Sequence, residues 1–181
     1  MKKQILIPAL SLFLICAITS LLLAAANEAT RGPIAELQAQ TALEAQQTVL
    51  PAAVSFAEKA AADGTLYAEG LDASGKTAGY VFTTSASGYG GLIKVMTGVN
   101  AEGAITGVEL LEISETAGLG MNAQKDDFRE QFKGLSGSIE VTKSAAGDGE
   151  ITALTGATIT SRAVTSAVNQ ALALYQSEIG G

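Results

Sequence analysis

Thr155-Gly156-Ala157-Thr158-Ile159-Thr160-Ser161 stands directly before an apolar-periodic run through Val164, Val168, Ala171, Leu172 and Tyr175. Apolar residues at helical spacing define an amphipathic helix. The hydroxyl-rich stretch ahead of it reads as the turn that feeds this helix from a preceding strand. Ser and Thr are favoured at helix starts because their oxygens accept bonds from the first N–H groups, which no intrahelical carbonyl reaches. Those N–H groups and the helix dipole also suit an anion such as a phosphate. A helix starting near Thr160 is expected, and Thr155, Gly156, Ala157, Thr158, Thr160 and Ser161 form either a simple cap or an anion-binding turn. Spacing alone leaves both open.

Two glycine-rich stretches lie upstream: Ser87-Gly88-Tyr89-Gly90-Gly91 before a strand-like run, and Glu115-Thr116-Ala117-Gly118-Leu119-Gly120 after one. Each alone reads as a loop. In this order, and followed by Thr-Gly-Ala-Thr-Ile-Thr-Ser-Arg-Ala-Val, they resemble the FMN-binding domain family, found in the G subunit of Rnf electron-transport complexes and the C subunit of sodium-pumping quinone reductase. The resemblance covers Leu66 to Tyr175. It implies that Thr158 carries FMN as a phosphoester installed by a flavin transferase, and that the other Rnf-type membrane subunits are partners. Glycine loops let backbone N–H groups come close to a ligand. Tyr89 and Leu119 are suited to an isoalloxazine face, Glu115 and Thr116 to polar contacts, and Gly118 to close approach of the backbone.

This sequence departs from the family pattern at two positions. Ala117 stands where the family has Pro, which would stiffen the loop. Thr152 stands where the family has Asp, three residues before the first Thr of the motif; Glu150, two residues upstream, shares a strand face with it.

Composition narrows the chemistry. The 181-residue chain has no His and one Cys, Cys16, which excludes His-based triads, His-ligated zinc and four-Cys iron–sulfur clusters. No Walker loop, G-x-S-x-G or G-x-G-x-x-G is present. No catalytic side chain and no metal site are expected, so redox work would fall to a bound cofactor; the resemblance implies that it is covalent FMN. A net charge of −7 disfavours nucleic acid as a partner.

Lys2 and Lys3 precede an uncharged stretch from Ile5 to Ala26, about 22 residues or ~33 Å of helix, enough to span a bilayer core. The lysines before it, against Arg31 alone shortly after, place the N-terminus in the cytoplasm and the rest outside. A cleaved signal peptide is the alternative, with small residues at Leu23-Ala24-Ala25-Ala26, although the apolar run exceeds the usual length. Cys16 follows a bulky Ile15 where a lipoprotein signal has a small residue, and reads as a thiol buried in lipid or against a partner helix.

Thr30-Arg31-Gly32-Pro33 is expected to open a second helix, a stalk that stops at Val49-Leu50-Pro51. Strands are expected over Leu66–Leu71, Thr77–Thr84, Leu92–Val99, Ile105–Ile113, Ile139–Thr142 and Glu150–Leu154, with a short helix over Lys125–Phe132. The fold class is α+β: an N-terminal transmembrane anchor (residues 1–28), a juxtamembrane stalk (29–51) and one FMN-binding domain (52–181) with an antiparallel sheet and flanking helices. The function implied by the resemblance is a flavoprotein relay between ferredoxin and NAD in an ion-translocating complex of the cell membrane. The C subunit of the quinone reductase, or a tethered scaffold module of the same fold without flavin, are the alternatives.

Overall fold

The computed structural model describes residues 2–62 and 64–180. Contacts divide the chain into two units, Met1–Thr41 and Ala42–Gly181. Helix α1 spans Lys2–Val49, so its last turns belong to the second unit. Its large apolar side chains from Leu6 to Leu23 are exposed, and this stretch, with a mean hydropathy of 2.5, is long and apolar enough to cross a membrane.

The expected second helix does not exist as a separate element, because α1 runs through Pro33. A proline in a helix interior removes one donor and crowds the carbonyl four residues back, at a cost of about 3 kcal/mol. Ala, Leu, Glu and Gln on either side are strong helix formers and carry the helix across that defect. Thr30 Oγ1 also bonds back to the Ala26 carbonyl at 3.0 Å.

The second unit is built on a five-stranded antiparallel meander, β1 (Ser55–Ala60), β2 (Leu66–Leu71), β3 (Thr77–Ser87), β4 (Leu92–Asn100) and β5 (Ile105–Glu112), paired in chain order. Two of its hairpins are tied by an Asp or Asn side chain that bonds the backbone of its own turn. Asp72 Oδ1 accepts the Ser74 and Lys76 N–H groups at 2.8 and 3.0 Å. Asn100 Oδ1 accepts those of Glu102 and Ala104 at 3.1 and 2.8 Å.

Strand β1 has no counterpart in the sequence reading, because Ser55-Phe56-Ala57-Glu58-Lys59-Ala60 shows no alternation. It is an edge strand, exposed at every position but Phe56, so no pattern of burial was imposed on its sequence. Lys59 reaches across to Glu69 at 2.6 Å. Hydrogen bonds from Lys59 and Thr77 hold the Glu69 carboxyl below its ordinary pKa.

Helix α3 (Thr158–Glu178) covers one face of the sheet. Val164, Val168 and Leu172 pack there with Phe82, Val95, Val99 and Val108, and burying each aliphatic side chain contributes about 1.5–3 kcal/mol. Tyr175 anchors the far end, its hydroxyl donating to the Ala101 carbonyl at 2.7 Å. Phe128 and Phe132 extend this core from α2 (Asp126–Arg129) and the 3-10 turn after it (Glu130–Phe132), so the expected helix over 125–132 is shorter and tighter than a continuous α-helix. Strands β6 (Glu140–Thr142) and β7 (Glu150–Thr152) pair in parallel as a separate two-stranded sheet and lead into α3.

The opposite face of the meander is covered by Ala45, Val49, Leu50 and Ala53, packed with Ala68, Val81 and Met96. Two cross-strand glycine pairs make this possible: Gly98 opposite Gly107, and Gly70 opposite Gly79. A Cβ at Gly107 would lie 2.9 Å from Val49 Cα, and one at Gly70 would lie 2.5 Å from Leu50 Cδ2. Thr106 Oγ1 donates to the Val49 carbonyl, capping the end of α1. Gly98→Ala and Gly107→Ala are each expected to lower stability by about 1–3 kcal/mol through overpacking. Chemical denaturation of the two variants checks this, and unchanged midpoints would mean that the end of α1 does not sit on the sheet.

Candidate functional site

Three loops meet at the start of α3. The first is the β3–β4 hairpin loop, Gly88 to Gly91, closed by Gly88 N–H donating to the Gly91 carbonyl at 2.7 Å. The second follows β5, where the Thr116 carbonyl accepts the N–H groups of Leu119 and Met121 at 3.1 and 3.2 Å. The third joins β7 to α3. Between them lies a cavity of about 510 Å³ lined by Tyr89, Glu115, Thr116, Leu119, Gly120 and the segment from Gly156 to Thr160.

The helix begins at Thr158, two residues earlier than expected, and its N-cap is Ala157, which makes no side-chain cap bond. The helix start thus has no hydroxyl cap, contrary to that reading: Ala157 holds the cap position, and the hydroxyls of Thr160 and Ser161 bond elsewhere. Ser161 is fully buried. Its Oγ accepts the Leu154 N–H at 2.9 Å and donates to the Ala157 carbonyl at 3.0 Å, stitching the turn to the helix. Thr160 is 1% exposed, and its hydroxyl donates to Glu115 Oε2 at 3.0 Å. The Thr158, Ile159 and Thr160 N–H groups, as the first of the helix, have no carbonyl one turn back to bond.

The four hydroxyl residues of the turn thus occupy different situations. Thr160 and Ser161 are buried and engaged, and Thr155 is exposed outside the cavity lining. Thr158 alone is half-buried in the cavity wall, with its hydroxyl making no hydrogen bond to protein among the described residues.

Glu115 lies within reach of two loops. Its Oε1 accepts the backbone N–H groups of Tyr89 and Gly90 at 2.7 and 3.1 Å, while Oε2 takes the Thr160 hydroxyl. Tyr89, Leu119 and Ile159 supply apolar surface around the opening, at 73%, 44% and 55% exposure. Of the residues singled out from sequence, Tyr89, Glu115, Thr116, Leu119, Gly156, Ala157, Thr158 and Thr160 line the cavity, whereas Thr155, Gly118 and Ser161 do not. Gly120 and Ile159 line it and were missed, although both stand inside the quoted motifs.

Gly118 has a different role from the expected close approach: a Cβ there meets nothing within 4 Å, but its φ is +78°. It supplies left-handed backbone. Gly120 is the position of close approach, where a Cβ would lie 2.6 Å from Thr160 Oγ1 and 2.7 Å from Glu115 Oε2. Away from the cavity, Thr152 is held by Gln131, whose Oε1 accepts its N–H at 2.7 Å, and its hydroxyl donates to the Ser144 carbonyl at 3.1 Å. The Glu150 carboxylate turns back to the Gly147 N–H at 2.9 Å. Gly118→Ala is expected to cost about 1–2 kcal/mol, the left-handed penalty of a Cβ, and Gly120→Ala more, because it also displaces Glu115 and Thr160. Thermal denaturation ranks the two, and the reverse order would contradict these roles.

Residues 88–173 match the family model described as the FMN-binding domain. Among curated proteins, the chain is 38% identical to the G subunit of the Na(+)-translocating ferredoxin:NAD(+) oxidoreductase complex of Acetobacterium woodii, over 92% of this chain and 89% of that protein. It is 33% identical to the G subunit of the proton-translocating ferredoxin:NAD(+) oxidoreductase complex of Clostridium ljungdahlii, over 94% and 91%. Among solved structures, it is similar to the C subunit of the Na(+)-translocating NADH-quinone reductase of Parabacteroides distasonis, with a TM-score of 0.52 and 26% identity over 61% of each chain. The NqrC of Shewanella oneidensis shares the fold, with a TM-score of 0.54 at 22% identity over 69% of each chain. The chain belongs to the family of G subunits of ion-translocating oxidoreductase complexes of the Rnf type, whose FMN-binding domain it carries.

Proposed function

We propose that this chain is the FMN-bearing G subunit of an Rnf-type ion-translocating complex, that Thr158 holds FMN as a phosphoester, and that the protein relays electrons within a path linking ferredoxin and NAD. The observation that carries the site is the Thr158 hydroxyl, which belongs to a half-buried residue in the wall of the cavity and makes no hydrogen bond among the described residues. The volume of about 510 Å³ falls in the range of cofactor sites, roughly 300–1,000 Å³.

The donor set fits a flavin monophosphate. Among the described residues no Lys or Arg lines the cavity, so a phosphate at Thr158 would be held by the unpaired N–H groups of the first turn of α3 and by the helix dipole. Tyr89, Leu119 and Ile159 offer the apolar and aromatic surface a flat ring system needs. Thr116, at the same wall, has a hydroxyl for the polar ribityl chain. Bound FMN supplies electron-transfer chemistry that a chain with no His and one Cys does not.

The Rnf reading is favoured over the quinone reductase by the extent of the match, 92% of the chain at 38% identity against 61% at 26%. The relatives are named as subunits of complexes, and other membrane subunits would supply the remaining redox steps. A flavin transferase would install the cofactor. The segment from Leu6 to Leu23 would anchor the protein in the membrane, with the domain after Pro51 on the extracytoplasmic side, in keeping with Lys2 and Lys3 ahead of the apolar run.

Attachment is a formal condensation, one water lost per phosphoester formed. In cells co-expressing a flavin transferase, the peptide containing Thr158 is therefore expected to gain one FMN less one water, and the denatured protein to fluoresce in a gel. Thr158→Val, which keeps shape and removes the hydroxyl, should abolish both; persistent fluorescence would move the bond to another residue. Protease added to intact spheroplasts is expected to cut the loops after Pro51. Complete protection until lysis would reverse the orientation.

A further inference from the structure

The bonding around Glu115 goes beyond ligand contact. All three of its partners are protein donors, and they come from two different elements: the Tyr89 and Gly90 N–H groups of the hairpin loop at 2.7 and 3.1 Å, and the Thr160 hydroxyl of α3 at 3.0 Å. The carboxylate thus bridges the hairpin loop and the first turn of α3 at the cavity wall. Two glycines on separate loops leave room for it. A Cβ at Gly88 would run into Glu115 Oε1, and one at Gly120 would lie 2.7 Å from Oε2 and 2.8 Å from Glu115 Cβ.

We propose that Glu115 is a positioning residue: its carboxylate locks the β3–β4 loop to the first turn of α3, fixing the cavity and the setting of Thr158, without itself touching the ligand. This rests on the flavin reading above only for what fills the cavity. The side chain is long enough to bridge the two elements, and its charge strengthens bonds to N–H groups and a hydroxyl alike. Among the described residues the N–H groups of Tyr89 and Gly90 have no other acceptor, since the hairpin's own closure uses the Gly88 N–H. Losing the carboxylate would hand the two exposed N–H groups to water and take the buried Thr160 hydroxyl's acceptor away, and the loop would part from the helix.

Residue-resolved amide exchange in the flavin-free, detergent-solubilised full chain tests the lock. In Glu115→Ala, the Tyr89 and Gly90 amides are expected to exchange roughly ten- to a hundredfold faster, the scale of a lost bond to a charged group, while β3 and β4 amides keep their protection. Glu115→Gln should rescue both amides, because its carbonyl oxygen accepts the same bonds and its amide can donate to a Thr160 hydroxyl that now accepts. After co-expression with a flavin transferase, the alanine variant should lose covalent flavin, and the glutamine variant should retain it with unchanged absorption bands.

Unchanged exchange at Tyr89 and Gly90 in the alanine variant overturns the proposal, as does a shifted flavin spectrum in the glutamine variant, which would put the charge at the ligand. If wild type itself acquires no flavin, the flavin reading fails while the exchange result still decides the lock. Should the alanine variant lose its sheet protection as well, Glu115→Asp, one methylene too short to bridge the two elements, decides the question. Faster exchange at the two amides then supports the lock, and unchanged exchange overturns it.

Discussion

The meander is apolar on both faces, and α3 can cover only one of them. This constraint governs the second unit. On the α3 side lie Phe82, Val95 and Val99; on the other lie Val81 and Met96, one residue out of phase along the same strands. An uncovered second face would expose a large apolar surface to water. The end of α1 and the following turn supply the cover through Val49, Leu50 and Ala53, at zero exposure. Because the sheet's glycine pairs remove side chains beneath them, the helix end approaches to backbone contact, which no ordinary pair of strand residues would permit. The helix that carries the apolar N-terminal stretch thereby ends as part of the domain's core.

The covered sheet is what allows the site to sit on its rim. The end of β3, the start of β4 and the end of β5 lie on one rim, and the β3–β4 loop and the loop leaving β5 converge on the start of α3. The site is electrostatically sparse: among the described residues no cation lines it, and the one carboxylate is hydrogen-bonded by donors from the protein. Anion binding is left to backbone N–H groups and a helix dipole, which are fixed in place by the fold and need no side-chain ordering when a ligand arrives. That economy suits a chain of net charge −7, in which a free basic side chain would tend to pair with an acidic neighbour.

The sequence by itself determined the elements whose cause is local. Helical spacing from Val164 to Tyr175 fixed α3 and its buried face, and Asp72 and Asn100 fixed two hairpins through bonds to residues two and four further on. The order of the three loop motifs was enough to gather most of the cavity lining. Tertiary structure alone decided the rest, because the partners are far apart in the chain. Glu115 meets donors 25, 26 and 45 residues away, and Thr106 meets the end of α1 57 residues away. Among four hydroxyls in one short turn, propensity treats all as caps; only the packing of the turn against the loops buries Thr160 and Ser161, leaves Thr155 outside and sets Thr158 free at the cavity wall. The same holds for β1, whose exposed edge position imposes no pattern on its residues, and for Pro33, whose local signal to open a new helix was outweighed by the helix formers on either side.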